Sequence, residues 1–175
     1  GGYHPIQALE LAIDADLQRN RYESAQKRID FLVENYPLHE SAMHSSIRLS
    51  EHYREQNKLD RSLALLQRLQ RIYPRRVEVL VHLAGTYRRM REFDLALEIC
   101  DQAFVLAPVH PDILYVMRIK GDIRKQQGDL QGAIEAFTIA GEFRGQHDAR
   151  WSLRDAAECY RQLGEYERAI EMLDR

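Results

Sequence analysis

With 175 residues, 45% apolar and 30% charged, the chain has the make-up of a folded protein rather than a linker. Its 25 basic and 27 acidic side chains leave a net charge of −2, without the Lys and Arg excess that phosphate neutralisation demands, so nucleic acid is not an expected partner. No apolar run approaches the roughly 20 residues needed to cross a bilayer. The charge is uneven: 4 basic and 7 acidic residues in 1–42, 11 and 8 in 43–110, 10 and 12 in 111–175, which makes the middle mildly basic.

An aromatic or aliphatic residue followed three positions later by a small one recurs along the chain. The pairs are Tyr22/Ala25, Leu59/Ser62, Phe93/Ala96, Leu130/Ala133 and Tyr166/Ala169, spaced 37, 34, 37 and 36 residues apart. A period near 34 means a solenoid of units that bury their apolar faces against their neighbours. In chain order the units are 6–39, 43–76, 77–110, 114–147 and 150–175, the last incomplete. The first carries Ile13, Tyr22, Ala25, Ile29, Leu32 and Pro37, and the second Leu49, Tyr53, Leu59, Ser62, Leu66 and Pro74. In the third, Leu80, Leu83, Ala84 and Tyr87 make the inner face of one helix and Phe93, Ala96, Cys100 and Ala103 that of a second, which Pro108 stops. The fourth has Gly121, Leu130, Ala133, Phe137 and Ala140 and ends in Gly145; the fifth has Ala156, Tyr160, Tyr166, Ala169 and Leu173.

This helix-turn-helix pattern of large and small residues resembles the tetratricopeptide repeat (TPR) over essentially the whole chain. The resemblance implies an all-α, right-handed superhelical solenoid of antiparallel helix pairs. Two departures stand out: Asp16 and Arg124 occupy the slot that holds Tyr53, Tyr87 and Tyr160, so looser packing is expected there. Extra residues at 40–42, 111–113 and 148–149 should lengthen a loop or a helix end. The incomplete fifth unit, without a polar cap, is expected of a segment of a larger protein.

In TPR proteins the first helices of successive units line a groove that takes a protein or peptide segment. At the twelfth groove position stand Leu17, Arg54, Arg88, Lys125 and Arg161, and at the ninth Asp14, Glu51, Gly85, Asp122 and Glu158. Within one helical turn Glu51–Arg54, Asp122–Lys125 and Glu158–Arg161 can pair, whereas Gly85 leaves Arg88 and Arg89 without such a neighbour. Arginines of this kind, with Arg54 and Arg118 nearby, would favour an acidic segment. Tyr115 and Trp151 fall at second positions and offer aromatic anchors, although Trp151, after an insertion, fits packing on the preceding helix better. The acids at ninth positions replace the asparagine of chaperone-clamp TPR modules, so that function is not expected.

Signs of chemistry are missing. Cys100 and Cys159 lack CxxC spacing and read as core residues in a reduced, cytoplasm-like compartment. The seven histidines (His4, His39, His44, His52, His82, His110, His147) show no metal-ligand spacing, and His39 and His110 read as turn residues. There is no phosphate-binding glycine loop and no nucleophile constellation, so no cofactor and no catalysis are expected. The leading expectation is a protein-interaction scaffold. Its rivals are a non-catalytic segment of a larger enzyme, such as a bacterial transferase, and self-association through the uncapped C-terminal end.

Overall fold

The computed structural model describes residues 5–143 and 147–175, with the backbone alone at His147. His4, Gly145 and the His147 side chain therefore lie outside the described residues. Among the described residues there are ten α-helices and no strand. They are α1 (Pro5–Gln18), α2 (Tyr22–Asn35), α3 (Glu40–Glu55), α4 (Leu59–Ile72), α5 (Val77–Met90), α6 (Phe93–Leu106), α7 (Ile113–Gln126), α8 (Leu130–Gly141), α9 (His147–Gln162) and α10 (Tyr166–Leu173). Ten helices make about five repeats of sequentially packed pairs. None of them is long and apolar enough to cross a membrane. The chain divides into two compact units, Gly1–His82 and Leu83–Arg175.

Within every helix pair the chain reverses through one residue in the left-handed region: Asn20, Asn57, Arg91, Gly128 and Gly164, with φ between 57° and 81°. These five recur at the same intervals as the aromatic–small pairs that follow them. The next residue then donates its N–H back to the carbonyl five positions earlier: Arg21 to Asp16 (2.8 Å), Lys58 to Tyr53 (2.8 Å), Glu92 to Tyr87 (3.0 Å), Asp129 to Arg124 (2.9 Å) and Glu165 to Tyr160 (3.0 Å). This is the Schellman stop, which satisfies carbonyls that a helix end would leave bare.

The small residues sit where helices approach most closely. Ala25, Ser62, Ala96 and Ala133 are fully buried. In the first compact unit Ile13, Leu17, Ile29, Leu32, Leu49 and Tyr53 form one core. In the second, Phe137 packs with Ala133, Ala156 and Cys159, and its ring lies against Gly121, where an added Cβ would come within 2.5 Å of it. Two insertions became helix: α3 and α9 run to 16 residues, against 14 for α5 and α7. Of the extra residues at 111–113, Pro111 and Asp112 form a turn and Ile113 opens α7; in that turn the His110 Nδ1 accepts the Asp112 N–H at 3.3 Å. His39 accepts the Ser41 N–H in the same way at the start of α3, so both histidines are turn residues.

The two substitutions of the Tyr slot part company. Asp16 does not loosen its site: it is 2% exposed and accepts from Ser24 Oγ at 2.6 Å and Arg28 Nε at 2.9 Å, with Arg21 at 2.8 Å. A polar cluster takes the place of a ring. Arg124 follows the expectation better, because its guanidinium swings to Asp129 at 3.6 Å and a recess of about 230 Å³ opens between Phe104, Met117, Gly132 and Ile139.

Two outcomes follow for stability. Hydrogen bonds from Ser24 and Arg28, opposed by burial, hold the Asp16 carboxyl below its ordinary value of 3.8. A depressed carboxyl stabilises above that value and stops doing so as pH falls through its folded pKa. Asp16→Asn should therefore lower the melting temperature at pH 7, with the gap to the parent closing in acid below pH 3.8. Gly128 has φ of +81° with open space around its Cβ position. Gly128→Ala should cost about 1–2 kcal/mol from backbone strain alone, and Gly128→Asn less, as read by thermal melting.

Candidate partner-binding surface

The first compact unit holds Arg54, on α3. It lies near His82, whose imidazole is pushed down to about 4, by burial first and by the Arg54 charge second. His82 is thus neutral at pH 7, and its 3.5 Å approach to Glu51 is not an ion pair there. Acids of this unit also pair across repeats. Arg48 bonds Asp14, Arg61 bonds Glu23 at 2.9 Å, and Arg68 bonds Asp30 at 2.6 Å. Between α1 and α3 lies a recess of about 520 Å³ lined by Gln7, Glu10, Leu11, Asp14, His44 and Arg48. Leu11, exposed in that recess, was not singled out from the sequence.

The second compact unit holds the other candidates. Arg88 on α5 bonds Asp122 on α7 at 2.5 Å, 34 residues away. This corrects the expectation that Gly85 leaves Arg88 without an acid: its acid comes from the following repeat. Lys125 makes no close ion pair with Asp122 and acts on it only at longer range, more weakly than Arg88. With both side chains about a third or more exposed, the pair is worth only about 0–1 kcal/mol and chiefly orients its members. The Arg88 Nε is buried without a hydrogen-bond partner. Burial pushes the Asp122 carboxyl up, Arg88 opposes this, and Asp155 adds to it. Arg89 is exposed on the same helix.

Of the three turn-spaced pairs, Glu158–Arg161 forms as expected, with two 2.7 Å bonds. Those bonds, with Gln162, hold the Glu158 carboxyl down at about 2. Asp122 and Glu158 are therefore both committed. Arg118, Lys125 and Arg154 make no ion pair or hydrogen bond with any other described residue.

The aromatic candidates sit beside those cations. Tyr115 on α7 is 41% exposed and Trp151 on α9 is 45% exposed. Trp151 is thus half-buried, with part of its ring open to solvent. The Tyr115 phenol is raised by burial first and by Asp148, to which it hydrogen-bonds, next. The Arg154 guanidinium lies 5.5 Å from the centre of the Trp151 ring, within cation–π range. Asp148 stands three residues before Trp151, one turn of the same face, so the two aromatics belong to neighbouring turns of packed helices.

Each helix thus carries the same stripe. On α7 it reads Tyr115, Arg118, Asp122, Lys125; on α9 it reads Trp151, Arg154, Glu158, Arg161. Spacing of three, four and three residues keeps each set on one helical face. Arg154 and Asp148 went unnoticed in the sequence, although comparing the fifth positions of the last two units (Arg118, Arg154) would have found the first. Cys100, buried and free, has its thiol pushed up to about 12, chiefly by burial, and Cys159 is free, buried and raised as well.

The fold defines a helical-repeat protein built of sequentially packed helix pairs. Family models described as the tetratricopeptide repeat match residues 11–77, 47–111 and 152–175, and the chain belongs to that family, a fold of protein-interaction scaffolds. Among curated proteins none matches it in sequence. Solved structures share the fold at low identity. A structure of MamA is 14% identical with a TM-score of 0.73, covering 93% of this chain and 90% of that one. MamA from Desulfovibrio magneticus RS-1 is 11% identical with a TM-score of 0.72, covering 97% and 91%. A Podospora anserina kinesin light chain with nearly identical TPR-like repeats is 18% identical with a TM-score of 0.70, covering 99% and 94%.

The Arg88–Asp122 bond can be tested directly. Arg88→Ala should raise the Asp122 carboxyl pKa further, because the group that opposes burial is gone, while the Glu158 carboxyl stays near 2. Carboxyl-carbon NMR titration reads both.

Proposed function

We propose that this chain is a protein-interaction module whose second compact unit receives a segment of another protein across α7 and α9. The observation that carries the reading is the presence of two half-exposed aromatics beside cations that make no close ion pair. Tyr115 and Trp151 offer broad area at low entropy cost, the usual quality of interface anchors. Arg118, Lys125 and Arg154 supply donors for carboxylates. Arg161 contributes less to an incoming acid, since Glu158 already occupies its fork. Arg88 takes up Asp122 in the one close ion pair that this acid makes.

This differs from the expectation that Arg88 and Arg89 are the centre of binding. The weight moves one and two repeats on, to α7 and α9, and Arg88 takes a supporting part. Binding an extended or helical segment on preformed helices spares the ordering cost on one side of the complex. Nothing in the reading calls for chemistry, and the buried, raised thiols are poor nucleophiles.

A random-peptide display library panned on the full chain tests it. Peptides should be enriched whose affinity falls about tenfold or more, a hot-spot effect, on the triple variant Trp151→Ala, Arg118→Glu, Arg154→Glu. Circular dichroism of that variant should be unchanged, because all three side chains are at least partly exposed. Enrichment of nothing, or of peptides that bind the folded variant equally well, would sink the proposal.

A further inference from the structure

We propose that the recess beside Arg124 binds a small organic monocarboxylate. The site shares no residue with the surface proposed above. Arg124 stands in the slot that holds Tyr53, Tyr87 and Tyr160 elsewhere in the chain, and a recess of about 230 Å³ lies against it between α6, α7 and α8. Its apolar walls are Phe104, Met117, Ala136 and Ile139, and Gly132 adds no side chain to fill it. Met117 and Ala136 are buried, at 2% exposure each. A dry apolar cavity of about 150 Å³ already holds benzene. The recess therefore has room for one ring and a charged group, and is too small for a drug-sized molecule.

The charge of the ligand follows from the donors in the recess. Lys120 and Arg124, one turn apart on α7, both line it. Lys120 donates to Asp101 at 2.6 Å, which leaves two of its three protons for a second acceptor. The nearest acid to Arg124, Asp129, lies at 3.6 Å, beyond hydrogen-bond range. Its guanidinium makes no hydrogen bond with any described residue. Asp129 is held by α8 instead, where it caps the helix and accepts the Gly132 N–H at 2.9 Å. A carboxylate entering between Lys120 and Arg124 meets an ammonium and a planar fork of N–H donors, the geometry guanidinium grips best. Glu135, exposed on α8 and without an ion pair, opposes an anion and limits the affinity. A bare phosphate or sulfate would leave the apolar walls uncovered, so the ligand carries a hydrocarbon body.

The first compact unit contains a matching recess, and the contrast shows what sets this one apart. There Tyr53, Arg61, Ala64, Leu65 and Arg68 line a space of about 380 Å³. Two repeats later the same places hold Arg124, Gly132, Glu135, Ala136 and Ile139. The earlier recess is the larger, but each of its arginines already bonds an acid: Arg61 to Glu23 at 2.9 Å and Arg68 to Asp30 at 2.6 Å. Donors are answered within the first unit and left open in the second. Size does not mark the site; open donors beside apolar walls do.

Benzoate titrated into the full chain tests this, read by NMR at the methyl groups of Met117, Ala136 and Ile139. Saturable shifts are expected at all three, and benzamide, the neutral isostere, should bind about tenfold or more weakly. Arg124→Gln should lose about tenfold in affinity. Arg124→Tyr, which restores the ring of the other repeats, should close the recess and abolish the shifts; melting curves confirm the fold of both variants. Glu135→Gln should tighten binding, and Arg168→Glu, on α10, should leave it unchanged. Equal binding of benzamide, absence of saturable shifts, or parent-like binding by folded Arg124→Tyr would overturn the inference. A peptide ending in a free phenylalanine carboxylate should bind no more tightly than benzoate. Tighter binding would also overturn the inference, because the recess would then read a chain end rather than a small acid.

Discussion

The structure depends on one backbone conformation repeated five times. A residue in the left-handed region at Asn20, Asn57, Arg91, Gly128 and Gly164 ends the first helix of each pair. The bond that follows it anchors the turn to the carbonyl of the residue in the Tyr slot. Because the turn closes on the backbone, the slot's side chain is free to vary. That is how Asp16 and Arg124 can stand where a tyrosine is usual without loss of the hairpin. Asparagine and glycine tolerate the conformation; Arg91 does so with its guanidinium 5.3 Å from the Phe93 ring.

Charge is organised by the same period. Most of the cross-helix bonds join residues one repeat apart, as in Asp14–Arg48, Glu23–Arg61, Asp30–Arg68 and Arg88–Asp122. Where an acid is used in this way, the cation a turn away from it in its own helix is released. Lys125 is the clear case, since Asp122 faces Arg88 instead. The cationic character of the surface proposed on α7 and α9 therefore comes from pairing across units, not from an excess of basic residues.

The repeat architecture was legible because it rests on size and spacing. Alanines and serines at fixed offsets beside Tyr53, Tyr87 and Phe137 leave few other ways to bury a face. The turns could have been read too, since Gly128 and Gly164 stand at matching places, but Asn20, Asn57 and Arg91 hide the signal behind ordinary residues. The partner surface was legible only in part. Tyr115, Trp151, Arg118 and Lys125, which carry the proposed surface, could be picked out from their positions, whereas the pairing of Arg88 did not follow from a pattern three residues long. An ion pair 34 residues apart is set by how helices pack, which local spacing cannot express.

The bonds that span one repeat bear on how such an array can change over time. A unit copied to a new place would arrive with half of each pair, its acids or its arginines facing neighbours chosen for someone else. Glu23 and Asp30 have meaning only beside Arg61 and Arg68. Order is thus written into the charges: the helices are interchangeable in shape, but adjacent units are matched as lock to key. Such an array resists shuffling of its parts and is better altered by paired substitution, one change on each side of a seam.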